Sequence, residues 1–410
     1  MSSHHRCVTR DVRTDSAAVV RGMTSSARAF AIAAGSLLAA AVCLLALGTG
    51  PSEAAGGHHR HHTPRVHVPK DFLGLLAGPL PFDQKDAAKI SHGGVRTVRI
   101  GMPWAPAQRK RGPFTWTASD IMIARLAKHG ISALPTLGGT PSWVAHTGTT
   151  PPIANQAAKD AWQTFVTAAV RRYRPHGNFW TTGPDGESPF HTRCGCNAPP
   201  VPITAWQIWN EPNLKKYFTP SPSPKAYAEL VTLSSSAIKA VDSHAKVVLA
   251  GLSDGGDPSK RGAVPFLRGF YRVPGIKKSF DAVGIHPYAR NIRSLRTVMT
   301  SFRRVMKQKR DARTPVWITE MGWGSGHPNR YGHNKGMRGQ ARLLKKSITM
   351  LAKKRKSWHV GHAYWFFWRD PPKTGRSGAC SFCASAGLLK NNRRPKPSYK
   401  AFRRLANSAP

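Results

Sequence analysis

Trp206-Gln207-Ile208-Trp209-Asn210-Glu211-Pro212-Asn213 is the stretch on which the fold turns. Its first residues are the apolar body of a strand, and they run straight into an amide and a carboxylate. Pro212 has no N–H for a ladder and restricts the residue before it, so the spacing predicts that the strand ends there. Glu211 then stands at a strand's C-terminal mouth, the end at which α/β barrels carry their chemistry. A second run of the same kind follows: Val316-Trp317-Ile318-Thr319-Glu320-Met321-Gly322-Trp323. Two strand-end glutamates in one α/β chain point to acid/base work on a glycosidic bond.

Outward from these two runs, apolar strands alternate with amphipathic helices from residue 71 onward. Strands are expected at 72–77, 95–102, 131–137, 205–210, 247–251, 282–286, 316–319 and 362–367. Helices are expected at 119–129, 155–174, 224–241, 336–354 and 397–405, with a further helical stripe from Leu295 to Met306. In 155–174, Trp162, Phe165, Val166, Ala169, Val170 and Tyr173 recur at three- and four-residue spacing, which gives one buried face. Eight β-α units fit a single (β/α)8 TIM barrel, fold class α/β, with long loops after its strands. A doubly wound open sheet is the competing architecture, and no Gly-rich phosphate-binding turn follows an early strand to support it. In a barrel the ends of the fourth and seventh strands face each other across the mouth. Glu211 and Glu320 can then approach the roughly 5 Å separation that a retaining glycosidase needs.

Composition sets the wider limits. The chain has 410 residues with 62 Lys+Arg against 19 Asp+Glu, formally +43. Residues 1–54 hold five Arg and three acidic residues, so the remainder still carries +41. Such a field favours polyanions, among them acidic polysaccharide and anionic cell-wall polymers. No zinc-finger spacing or RNA-binding aromatic motif points to a specific nucleic acid. Residues 1–54 read as an N-terminal extension with an export signal: 29–47 are continuously apolar, and Ser52-Glu53-Ala54 has signal-peptidase spacing. An uncleaved membrane anchor is the alternative. Either reading makes the folded part secreted or otherwise extracytoplasmic. Residues 55–70, with His58-His59-Arg60-His61-His62, read as a flexible His-rich basic linker, and 71–410 as the catalytic barrel. Cys194, Cys196, Cys380 and Cys383 lie in the exported part, where disulfides are permitted. Their connectivity stays open, with Cys380–Cys383 the more plausible ring and Cys194–Cys196 a strained short one.

Asn210-Glu211-Pro212 after an apolar strand, with Thr319-Glu320 on a later one, resembles the clan A glycoside hydrolases over roughly residues 71–405. Trp209-Asn210-Glu211-Pro212-Asn213 is most similar to family 39, while family 5 shares much of the pattern. The resemblance implies that Glu211 is the acid/base, Glu320 the nucleophile and Asn210 the amide that grips the sugar 2-hydroxyl. His286-Pro287-Tyr288 resembles the clan's His-x-Tyr pair, whose tyrosine holds the nucleophile ionised. Arg99 resembles the clan's supporting arginine, with Arg96 as competitor. Trp365 resembles the strand-end tryptophan beneath the reacting sugar, with Trp368 nearly equivalent. Trp104, Trp143 and Trp323 either flank a sugar cleft or fill the core.

No His, Asp and Glu cluster has metal-ligand spacing along the sequence, so neither a metal nor a cofactor is expected. The function expected is retaining hydrolysis of O-glycosidic bonds in a polysaccharide or oligosaccharide by two glutamates. The alternative is a non-catalytic carbohydrate- or cell-wall-binding barrel.

Overall fold

The computed structural model describes residues 66–78, 82–183, 186–254, 262–328, 332–372 and 380–408. The expectations for 1–54 and for most of the linker lie outside the described residues. Among those described, no helix is long and apolar enough to cross a membrane.

One parallel sheet contains β1 (Leu73–Leu76), β2 (Thr97–Pro103), β3 (Ser132–Gly138), β4 (Ala205–Ile208), β5 (Lys246–Leu249), β6 (Leu252–Ser253), β7 (Val283–His286), β8 (Val316–Met321) and β9 (Val360–Trp365). Their spatial order is β5-β4-β3-β2-β1-β9-β8-β7-β6. The first and last members are two halves of one barrel strand. β5 pairs with β4, β6 pairs with β7, and Val248 bridges Ala282 just before β7. Leu249 N–H to Ala282 O at 2.9 Å and Asp281 N–H to Val247 O at 2.8 Å complete that seam. The ring therefore closes, and the architecture is the expected (β/α)8 barrel rather than an open doubly wound sheet.

The break at Ala250-Gly251 has a local cause. Tyr227, on the helix Pro224–Val241, accepts the Ala250 N–H at 2.6 Å and donates to Ile208 O at 3.0 Å. It thus satisfies a backbone group on each of two neighbouring strands where their ladders lapse. Gly251 is required because the His286 ring fills the space beside it. A Cβ there would lie 1.9 Å from Nε2.

Two layers fill the barrel. Leu134, Val248, Ala282, Trp317 and Tyr364 form an apolar plug. The Tyr364 ring lies against Gly74, and its hydroxyl meets Thr97 Oγ1 at 2.9 Å. Two residues further along their strands, where side chains return to the same face, stand Arg99, Thr136, Gln207 and Thr319. These side chains are hydrogen-bonded to one another, and His286 joins them. The plug excludes water from below, and the polar layer is the floor of the mouth.

Helices cover the outside. Asn155 caps Gln156–Tyr173 by accepting the Ala158 N–H, and the stripe from Trp162 to Tyr173 is buried as its periodicity predicts. Gln84–His92, Pro189–Cys194 and Ala263–Phe270 are helices that the sequence pattern did not isolate. Each has fewer than ten residues, too short for a clear apolar period. Both cysteine pairs close locally, Cys194 with Cys196 and Cys380 with Cys383, so the shorter ring forms as well. Pro212 does not end its strand: β4 stops at Ile208, because Trp209 (φ 69°) and Glu211 (φ 43°) turn the chain through the left-handed region.

Candidate active site

Four strands deliver the site. β2 presents Arg99, whose guanidinium donates to three acceptors from other elements. Nε–H reaches Gln207 Oε1 at 2.5 Å, Nη1–H reaches Glu320 Oε1 at 2.6 Å, and Nη2–H reaches Asn210 Oδ1 at 2.9 Å. Arginine carries donors only, so the Asn210 oxygen must face it and the Asn210 NH2 is left to point elsewhere. The competing Arg96 lies just before β2 and donates to Ser91 Oγ instead.

Glu211 and Asn210 sit just beyond β4 on a turn tied down at both ends. Leu214 N–H returns to Glu211 O at 2.9 Å, and the Trp209 indole N–H reaches Tyr217 O at 2.7 Å. Asn213 is buried and clamps this turn to β6, donating to Ser253 O at 2.6 Å and accepting Ser253 N–H at 3.2 Å. A non-glycine residue at positive φ stores strain, and such strain persists only where the surroundings enforce it. Here Asn213, Trp209 and Arg99 enforce the conformation of Glu211's turn.

Glu320 owes its direction to a bulge. Ile318 pairs with Ala363 and Met321 with Trp365, so β8 has one residue more than β9 over this interval. In a regular strand Thr319 and Glu320 would face opposite ways. The extra residue lets both turn inward. Tyr288 Oη then donates to Glu320 Oε2 at 2.6 Å, and His286 Nδ1 lies 2.8 Å from Glu211 Oε1 and 3.5 Å from Glu320 Oε2.

Burial pushes the Glu320 carboxyl up, but His286, Arg99 and the Tyr288 hydroxyl outweigh it and hold the group below the usual carboxylate range. Burial, reinforced by Glu320, pushes the Tyr288 hydroxyl well above the ordinary phenol value, so it stays a donor. The ligand atoms of Glu211, His286 and Glu320 all lie within 4.8 Å of one another. Three strands contribute them, which is why no sequence spacing revealed the group. A cation could in principle be held by such a set. The Arg99 guanidinium against Glu320 already supplies positive charge there, which opposes a second cation.

The structure therefore brings together Arg99, Asn210, Glu211, His286, Tyr288 and Glu320. Trp365 is placed differently: it ends β9 with 1% exposure, its indole N–H bound to Ala386 O at 3.1 Å, packed near Trp323. Trp368 is equally buried and donates to Asp86. Trp104 and Trp323 are core residues, whereas Trp143 stays half-buried with Arg111 over its ring. Three participants were missed in the sequence. Gln207 carried a signal, as a polar residue facing inward in an apolar strand. Thr319 was hidden by the bulge. Tyr217 lies in the loop after β4, half-buried; burial and then the fields of Glu211 and Glu320 push its hydroxyl up to about 12.

Residues 197–396 match the model of the family described as the glycosyl hydrolase catalytic core. No curated protein matches the sequence. Among solved structures, a family 39 glycoside hydrolase from the gut symbiont Bacteroides cellulosilyticus superposes with a TM-score of 0.60 at 21% identity, over 82% of this chain and 63% of its own. This chain thus spans less than two thirds of that enzyme. A monomeric beta-xylosidase from Caulobacter crescentus gives 0.56 at 19% identity, covering 84% and 69%. A family 5 enzyme from Bifidobacterium longum gives 0.57 at 16%, covering 82% and 79%. The chain resembles the clan A glycoside hydrolases, with a catalytic-core match in sequence and a shared barrel in structure.

Proposed function

We propose that this protein hydrolyses O-glycosidic bonds of a polysaccharide or oligosaccharide with retention of configuration, using Glu320 as nucleophile and Glu211 as acid/base. The observation that carries this is the pair itself. Two buried glutamates from opposite sides of the mouth have oxygens within 4.8 Å, in unlike surroundings. Retaining enzymes hold their carboxyl groups about 5 Å apart, whereas inverting ones leave room for a water between them.

The division of labour follows from the contacts. Arg99 and Tyr288 hold Glu320 ionised and aimed, as a nucleophile must be. Among the described residues Glu211 meets no arginine or lysine, only the imidazole of His286 at 2.8 Å, so it lacks the guanidinium that faces Glu320. In the first step Glu211 gives its proton to the leaving oxygen while Glu320 bonds to the anomeric carbon. In the second, Glu211 takes a proton from water, whose oxygen displaces Glu320. The Asn210 NH2, freed by Arg99, faces the sugar 2-hydroxyl. Carbohydrate binding alone needs neither a strained acid/base turn nor a nucleophile tied by two donors. That argues against a binding-only barrel.

The +43 charge supports attachment to anionic wall polymers, and the two local disulfides accord with an extracytoplasmic site. A panel of aryl glycosides and glycans identifies the sugar. On a substrate with a poor leaving group, a glycan or an alkyl glycoside, Glu211→Gln and Glu320→Gln should each lower kcat/KM by roughly a thousandfold or more, and proton NMR of the first-formed product should show the retained anomer. Unchanged turnover in either variant, or an inverted product, contradicts the proposal.

A further inference from the structure

A chain of buried hydrogen bonds runs beneath the two glutamates and sets the orientation of every group in it. Gln207 is fully buried on β4. One end of its amide meets Arg99 Nε at 2.5 Å and the Thr136 hydroxyl at 3.1 Å. The other end meets Leu249 O at 3.0 Å and Thr319 Oγ1 at 3.0 Å. An arginine offers only donors and a carbonyl only acceptors, so both ends independently select the same orientation: oxygen toward Arg99, nitrogen toward Leu249 and Thr319.

That orientation propagates. Thr319 Oγ1 is also fully buried and accepts from the Gln207 amide, so its own proton is available for its other neighbour, His286 Nε2 at 3.1 Å. A buried hydroxyl proton without an acceptor is costly, and His286 Nε2 is the acceptor in reach. With Nε2 accepting, a neutral imidazole carries its proton on Nδ1, which lies 2.8 Å from Glu211 Oε1. The ring cannot turn away, because Gly251 packs flat against it.

We propose that Gln207 and Thr319 are positioning residues that lock His286 in its Nδ1–H tautomer, so that the imidazole donates to the acid/base Glu211. They link the acid/base to Arg99, the group that holds the nucleophile, without touching substrate themselves. The catalytic consequence rests on the function proposed above, but the tautomer does not, and the two are tested separately.

The test is the nitrogen-15 NMR spectrum of the full chain at neutral pH, with His286 assigned by its loss in His286→Asn. The wild type should show a protonated Nδ1 and an unprotonated Nε2. Thr319→Ser should keep that tautomer, and the nearly isosteric Thr319→Val should lose it. Gln207→Glu gives a second route should Thr319→Val not fold. It removes the amide donor and offers an acceptor, so the Thr319 hydroxyl turns to it and His286 should switch to the Nε2–H form. An Nε2–H wild type, or an unchanged spectrum in Thr319→Val or Gln207→Glu, overturns the proposal.

Kinetics then read the consequence. Thr319→Val should lose about tenfold or more in kcat on glycosides with poor leaving groups, which need the acid, and little on dinitrophenyl glycosides, which do not. Thr319→Ser should restore the loss. Equal loss on both leaving groups contradicts a role through Glu211. If the spectra behave as expected but no glycoside is cleaved, the positioning chain stands and the hydrolase reading falls.

Discussion

At the scale of single residues, Glu320 is held by three side chains, Arg99, Tyr288 and His286. Burial disfavours its charge, yet His286, Arg99 and Tyr288 together keep the carboxyl below its ordinary range. As the proposed nucleophile it must be ionised, so activity should persist on the acid side until the pH falls beneath the usual carboxylate value. Tyr288→Phe removes a donor that favours the charged form. The acid limb of kcat/KM should therefore move to higher pH. The rate at the optimum should fall between about tenfold and a hundredfold, the equivalent of a hydrogen bond to a charge. An acid limb that stays in place shows that Tyr288 does not act on Glu320. Both glutamates were legible in the sequence because a carboxylate that interrupts an apolar run, in a chain so poor in acids, has few structural uses. Their network was not legible. Strict alternation puts Thr319 and Glu320 on opposite faces, and only the bulge against β9 brings both inward.

At the scale of elements, the seven expected strands other than the fifth appear within a few residues of their predicted limits, because parallel strands buried on both sides read as apolar runs. The fifth was harder to read, since 247–251 spans the end of β5 and the break before β6. That break depends on a hydroxyl from a helix more than twenty residues away, which no local pattern encodes. Tyr227→Phe tests its weight. It leaves the Ile208 carbonyl and the Ala250 N–H buried without their partner, so unfolding free energy should drop by about 1–3 kcal/mol per orphaned group. The denaturant midpoint measures it, and an unchanged midpoint means the strand break does not need the tyrosine. Trp365 illustrates a similar limit. Its position at the end of β9 followed from the strand count, while its burial depends on Trp323 and Ala386, which come from two other points of the chain and leave no local pattern.

At the scale of the whole molecule, the apolar plug, the polar floor and the acid pair form one column through the barrel, in a chain of formal charge +43. The charge belongs to the entire sequence rather than to the site. Retention on an anionic polysaccharide should therefore fall steeply as salt rises, with the screening length shrinking from about 10 Å at 0.1 M to about 3 Å at 1 M. Glu320→Gln should be retained like the wild type, and salt-independent retention counts against the electrostatic reading. The central claim, that Glu320 attacks the sugar and Glu211 serves it, is tested most directly by azide rescue. Glu320→Ala should be nearly inactive alone, and azide should restore turnover by entering the vacated face, yielding a glycosyl azide of inverted configuration. Glu211→Ala with azide should instead give the retained azide, since Glu320 still forms the intermediate. A retained azide from Glu320→Ala, or full activity of that variant without azide, contradicts the account.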